Sequence, residues 1–343
     1  MPLPDVVSAV CGVNDINIKT IERILGAKIA VRGCELRLCG KSGDNEVAAH
    51  HTDALPNDSD SVETKELLED QFKNIIENLA AAAADGETPS VDYVKAVAKA
   101  AISADSGGSG AGIAKIRSSL ITIPHGFGSV FARSANQAEY IGGMRKNDIC
   151  FCVGPAGTGK TYLAIAYALS LVLSKKIRKL VLTRPVVEAG ESLGFLPGDL
   201  AQKINPYLRP LYDAMESLIP YNVIMRMEDS KQIEIAPLAY MRGRSLNDAF
   251  IILDEAQNTT KEQMKMFLTR LGNNSRALIT GDVTQVDLPA RIDSGLLHAL
   301  SILNDIKGIH FAYLNTADVV RHPLIKKIIS AYEKNATVAS GKR

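Results

Sequence analysis

No apolar run in the 343-residue chain reaches the roughly 20 residues that a membrane-spanning helix requires. The longest, "YLAIAYALSLVL" at 162–173, reads instead as a buried core helix, so no membrane association is expected. The start, "MPLPDVVSAV", has neither the basic flank nor the small-residue cleavage site of a secretory signal, and a cytoplasmic location follows as the expectation. Cysteine is sparse: five residues, an odd number with no C-x-x-C pair, which argues against a disulfide framework and against a zinc site. Cys150 and Cys152 alternate along an apolar stretch, which puts both on one face of a strand as core residues. A strong overall charge is also missing, since the formal net charge is +1. That balance is uneven: residues 1–120 hold 12 Lys/Arg against 18 Asp/Glu, net −6, and the rest holds 27 against 20, net +7. A basic C-terminal part tolerates polyanions. No internal repeat is visible. At 46% hydrophobic and 22% charged, the chain has an ordinary globular composition and is long enough for two or three domains.

The N-terminal third reads as a small α+β domain over 1–102. "NDINIKTIERILG" has apolar residues at helical spacing and a glycine stop, and "AKIAVRGCELRLCG" alternates around Gly33 as a hairpin. "TKELLEDQFKNIIENLAAAAA" and "VDYVKAVAKAA" read as two helices divided by "DGETPS". "SADSGGSGAG", 103–112, has the composition of a flexible linker, which is extended here to 103–120. From 121 to 343 strands and helices alternate. "DICFCVG", "KLVLTRP", "AFIILDE", "RALITGD" and "IHFAYL" are short apolar runs, as strands buried on both faces of a parallel sheet should be. In "TTKEQMKMFLTRLG", Thr259 and Glu262 suit a capping box and Gly272 a stop. The fold class expected for 121–343 is a doubly wound α/β sheet.

"GPAGTGKT" supplies Gly154, Pro155, Ala156, Gly157, Thr158, Gly159, Lys160 and Thr161, matching G-x-x-x-x-G-K-[ST] at every fixed position. Main-chain N–H groups must turn inward around phosphates, hence the glycines; Lys160 brings charge to the β and γ phosphates, and the Thr161 hydroxyl can ligate Mg²⁺. ATP and Mg²⁺ are therefore the expected cofactors. "FIILDEAQN" ends a strand with two acids: Asp254 is placed to hold Mg²⁺, directly or through water, and Glu255 to orient the attacking water. "LITGDVTQVDLP" ends another strand, and Asp282 and Gln285 at its tip either sense a γ-phosphate or decorate a surface loop. Gln137, 17 residues before Gly154, can read an adenine edge with both groups of its amide. Tyr140 nearby either stacks on the base or packs in the core. Arg321, in "ADVVRHPLIKKI", either reaches a γ-phosphate or is an ordinary surface arginine, and His322 reads as structural.

Together "NQAEYI", "GPAGTGKTYLA", "LTRPVVEAGESLGFLPGD", "YMRGRSLNDAFIILDEAQNTT", "TGDVTQVDLP" and "DVVRHPLI" resemble the PhoH family of cytoplasmic ATPases over about 120–335. Residues 11–40 resemble that family's KH-like N-terminal segment. The resemblance implies a P-loop NTPase core of RecA-like type, related to superfamily 1 helicases, preceded by a small α+β KH-like domain. It also implies a ring-shaped homo-oligomer, a link to RNA metabolism and phosphate starvation, and association with an rRNA-processing endoribonuclease of the YbeY type. On matching positions, Gln137 resembles the adenine-reading glutamine, Asp254 and Glu255 the acidic pair, and Asp282 and Gln285 the helicase coupling motif. Thr183, Arg184 and Pro185 resemble the segment that meets a nucleic-acid backbone; Arg244 and Arg321 are further positions that resemble the family's motifs. Two departures stand out. Where a KH fold clamps nucleic acid with G-x-x-G, this chain has "GVND" at 12–15, and "ITIPHGFGSVFARSA" is less basic than its counterpart in the family.

The leading expectation is an Mg²⁺-dependent ATPase that moves on or remodels single-stranded RNA, with Glu255, Lys160, Arg321 and Gln285 in catalytic roles. Only one RecA-like domain is legible, so a ring is expected in which Arg321 completes a neighbour's site. The competing expectation is an ATP-switched ring adaptor that docks a partner endoribonuclease without moving on RNA. A small-molecule kinase has no legible acceptor pocket or lid motif.

Overall fold

The computed structural model describes residues 4–41, 58–84, 89–102, 114, 116–185, 200–289 and 291–320. The glycine- and serine-rich stretch at 103–112, Arg321 and His322 lie outside the described residues. The chain groups into two compact units, residues 1–120 with 131–138, and residues 121–130 with 139–343.

In the first unit, α1 (Pro4–Cys11) and α2 (Ile16–Leu25) are joined by a turn whose Asn14 and Asp15 have φ of 55° and 57°. Gly26, at φ 68°, closes α2 and donates its N–H to the Glu22 carbonyl at 2.8 Å. It leads into the antiparallel hairpin of β1 (Ala27–Arg32) and β2 (Glu35–Lys41), turned at Gly33. Two helices follow, α3 (Asp58–Ala84) and α4 (Val91–Ile102). Helical spacing brings Val10, Ile21, Ile75, Leu79, Val94 and Val97 into one core, each wholly buried. Ile116 joins that cluster from a helical turn at 116–118.

The second unit contains a short hairpin, β3 (Ile121–Ile123) with β4 (Gly128–Val130), and six parallel strands. Helix α5 (Ala135–Lys146), whose first four residues group with the first unit, precedes β5 (Ile149–Val153), and α6 (Lys160–Leu173) follows it. Next come β6 (Lys179–Arg184), α7 (Leu200–Glu216), α8 (Tyr221–Asp229) and β7 (Ile233–Pro237). The rest is β8 (Ala249–Leu253), α9 (Lys261–Leu268), β9 (Arg276–Gly281), α10 (Gly295–Ile302) and β10 (Ile309–Tyr313). The sheet order is β10-β5-β9-β8-β6-β7, with every neighbouring pair parallel. The chain is an α/β P-loop protein. All five residues of β8 are buried, because a central strand covered on both faces needs an unbroken apolar run. Helix α6 is buried along Leu163–Leu169, as its composition implied, and no described helix is long and apolar enough to cross a membrane. Cys150 and Cys152 are buried in β5, and burial pushes the Cys150 thiol up to about 12.

The capping box of α9 sits one residue later than expected. Thr260, not Thr259, is the N-cap: its hydroxyl accepts from Gln263 N–H, and Gln263 Oε1 accepts from Thr260 N–H at 2.9 Å. "TTKEQ" carries two overlapping boxes, and the first threonine is committed elsewhere. The buried Thr259 hydroxyl donates to the Ala256 carbonyl at 2.7 Å, and Glu262 accepts from the Thr260 hydroxyl. Nor does Gly272 stop the helix, which ends at Leu268 with Thr269 as its C-cap. Gly272 is there for packing, since a Cβ would lie 1.9 Å from Asn247 Oδ1.

Candidate active site

Residues 154–159 leave the carboxyl end of β5 and enter α6 as a loop with no room for side chains at its base. Gly154 donates its N–H to the Gly281 carbonyl at 3.1 Å, and a Cβ there would meet the Leu314 carbonyl oxygen at 2.5 Å. Gly157 and Gly159 have φ of 81° and 82°, a region that side chains disfavour, and Gly159 is the N-cap of α6. Thr158 is buried, with its hydroxyl donating to the Pro155 carbonyl at 2.8 Å. Lys160 starts the helix and folds its ammonium back to donate to the carbonyls of Gly154 and, at 2.8 Å, Pro155. Burial lowers its pKa, opposed by nearby Cys152, Asp282, Glu255 and Asp254.

Strands β5, β8 and β9 lie side by side, so their carboxyl ends deliver the acids to this loop. Asp254 follows β8, is buried, and donates its N–H to the Thr183 carbonyl at 2.9 Å. Its Oδ1 accepts from the Thr161 hydroxyl at 2.7 Å and the Thr280 hydroxyl at 2.8 Å. Glu255 has a left-handed backbone, φ 53° and ψ 40°. Its Oε1 accepts from Arg184 Nη2 at 3.0 Å and its Oε2 from Gln257 Nε2 at 2.6 Å. Asp282, after β9, accepts through Oδ1 from the Thr284 N–H and hydroxyl. Its own N–H donates to Gln257 Oε1 at 3.0 Å.

These groups surround one cavity of about 420 Å³. Its lining includes Ala156, Gly157, Gly159, Lys160, Thr161, Asp254, Glu255, Asp282 and Gln285, with Arg184, Tyr162 and Pro210 also on the wall. Gln285 is exposed, and its N–H donates to the Asp282 carbonyl at 3.1 Å. Among the described residues no group of three or more His, Cys, Asp or Glu forms a protein-only metal cage. Mg²⁺ in a nucleotide site needs none, being held by one or two protein oxygens with phosphates and water. The donor set fits: Thr161 and Asp254 touch, and Asp282 Oδ2 is a buried acceptor with no hydrogen-bond partner.

Gln137, Tyr140 and Arg244 are not among the residues lining this cavity. Gln137 is buried at the start of α5 within the first unit, its Oε1 accepting from Arg133 N–H at 2.7 Å. Tyr140 is fully buried and donates its hydroxyl to the Lys160 carbonyl at 3.2 Å, so it supports the loop from the core. Arg244 forks onto both oxygens of Glu234 and so braces β7. Val320 N–H donates to the Gly157 carbonyl at 2.9 Å, and Arg321, the next residue, lies outside the described set. Sequence reading misses two contributors and the partner of a third. Gln257 and Thr280 are polar residues that only the strand ends bring to the acids, and Arg184 was assigned to a nucleic-acid backbone, not to Glu255.

The family model described as "PhoH-like protein" matches residues 129–333. A PhoH-like protein of Mycobacterium tuberculosis H37Rv is 43% identical over 98% of this chain and 88% of its own length. A PhoH-like protein of Bacillus subtilis is 57% identical over 60% of this chain and 65% of its own. Protein PhoH of Escherichia coli K12 is 42% identical over 59% of this chain and 58% of its own. The nucleotide loop, the acid pair and the parallel sheet thus sit inside the matched region, and the chain belongs to the PhoH-like family of P-loop nucleotide-binding proteins.

Proposed function

We propose that the protein is a cytoplasmic Mg²⁺-dependent ATPase that couples hydrolysis to movement on, or remodelling of, single-stranded RNA. The observation carrying the ATPase reading is the convergence of Lys160, the Thr161–Asp254 contact, Glu255 and Asp282 on one cavity. Lys160 exchanges two neutral carbonyl partners for phosphate oxygens, a charged and therefore stronger pairing. Thr161 and Asp254 would hold Mg²⁺, which neutralises charge on the β and γ phosphates. Glu255 orients and polarises the attacking water. Asp282 and Gln285 report the γ-phosphate to the loop after β9.

The test is phosphate release from Mg²⁺-ATP by the full chain. Lys160→Ala should abolish it, and Glu255→Gln should still bind ATP while turnover falls by about 10²-fold or more. Glu255→Gln turning over at the unmodified rate would remove that residue from the chemistry. No release above the Lys160→Ala blank would sink the ATPase reading itself.

RNA coupling is supported by the family resemblance and by the net +7 beyond residue 120. The ring is inferred from the helicase arrangement, in which a second wall brings an arginine to the nucleotide; here Arg321 is assigned that role on a neighbouring chain. Mixing Arg321→Ala with Lys160→Ala chains should restore part of the turnover that each alone lacks. If no mixture regains it, Arg321 does not act in trans.

A further inference from the structure

Each carboxylate oxygen of Glu255 accepts one side-chain hydrogen bond, and the two donors differ in freedom. Gln257 is 1% exposed and pinned at three points. Its Nε2 donates to Glu255, its Oε1 accepts from Asp282 N–H, and its carbonyl accepts from the Ser294 hydroxyl at 2.8 Å. It is a fixed strut between the acid pair and the loop after β9. Arg184 ends β6 on a long rotatable stem and lines the cavity, with its side chain 20% exposed. Its other anchor is one neutral acceptor, the Tyr207 carbonyl, at 3.2 Å from Nη1.

A carboxylate that orients water needs a lone pair directed at that water, and Arg184 lies on Oε1. A guanidinium pairs with phosphate through the same forked geometry that it uses for carboxylate. Because Arg184 faces the nucleotide cavity, an incoming phosphate competes with Glu255 for it. We propose that Arg184 is a positioning residue that covers Glu255 Oε1 until a phosphate oxygen takes its guanidinium, which frees Glu255 to face water. The proposal rests on the ATPase reading above. The shared chemistry is a phosphate anion, which is either the γ-phosphate of the bound nucleotide or a phosphate of a nucleic-acid strand.

The experiment is steady-state ATP turnover by the full chain carrying Arg184→Ala or Arg184→Lys, with and without a single-stranded RNA oligonucleotide, resolving kcat from KM. If the RNA backbone takes the arginine, Arg184→Ala raises RNA-free kcat by roughly 2- to 5-fold, the upper part of the range for a part-exposed ion pair, and abolishes stimulation at unchanged KM. If the γ-phosphate takes it, Arg184→Ala lowers kcat and raises KM together, and Arg184→Lys recovers part of both. Two results overturn the exchange. One is kcat, KM and RNA response all within 2-fold of the unmodified chain, on the order of the smallest difference that such an ion pair would give. The other is a fall in kcat at unchanged KM, which would mean that Arg184 holds Glu255 in its working position. An unmodified chain that shows no turnover above Lys160→Ala would instead remove the ATPase reading.

Discussion

One carbon atom at Gly154 would collide with the Leu314 carbonyl, so the loop's geometry depends on residues far apart in sequence. Lys160 shows the same dependence in electrostatic terms. Its ammonium is drawn out of water, which lowers its pKa, and both of its hydrogen-bond partners are uncharged carbonyls. A desolvated cation with neutral partners has much to gain from an anion, because the low local dielectric strengthens the attraction. Lys160, Thr161, Asp254 and Glu255 could be named in advance because each occupies a fixed place in a local motif that a strand and a helix hold rigid. Gln257 could not be. Its position two residues beyond Glu255 says nothing about burial, and only the neighbouring strand β9 brings the Asp282 N–H to its amide. Arg184 was legible as a candidate, but its partner was not, since 71 residues separate it from Glu255.

At the level of elements, apolar runs announced β5, β6, β8, β9 and β10, and alternation around Gly33 announced the first hairpin. Strand β7 escaped notice. "IEIAP" contains an acid and ends in proline, which an edge strand tolerates because only one side is paired. Its Glu234 is served by Arg244 and Lys179, and the Arg244 hydrogen bond lowers the Glu234 pKa. Helix α7 was obscured by Pro206 and Pro210, which break a helical reading although the helix runs from Leu200 to Glu216. The start of α9 permits a direct test, since sequence alone offers two registers. Thr260→Ala should destabilise the protein by about 1 kcal/mol, the usual cost of losing an N-cap, measured as a lower denaturant midpoint at unchanged slope. An unchanged midpoint for Thr260→Ala would argue against Thr260 as the cap.

For the whole molecule, the sheet order positions the site. Side-by-side placement of β5, β9 and β8 brings the phosphate loop and both acidic strand ends to one edge, and Arg184 arrives there on β6. The acidic first 120 residues and the basic remainder then divide the charge, so a polyanion is attracted mainly to the part that carries the nucleotide site. Coupling of hydrolysis to an RNA strand is decided by steady-state ATP turnover of the full chain with and without single-stranded RNA. Strong stimulation by RNA is expected, lost at high salt as phosphate contacts are screened. Turnover that ignores RNA at every salt concentration would contradict it and leave the ATP-switched docking of a partner endoribonuclease as the better reading.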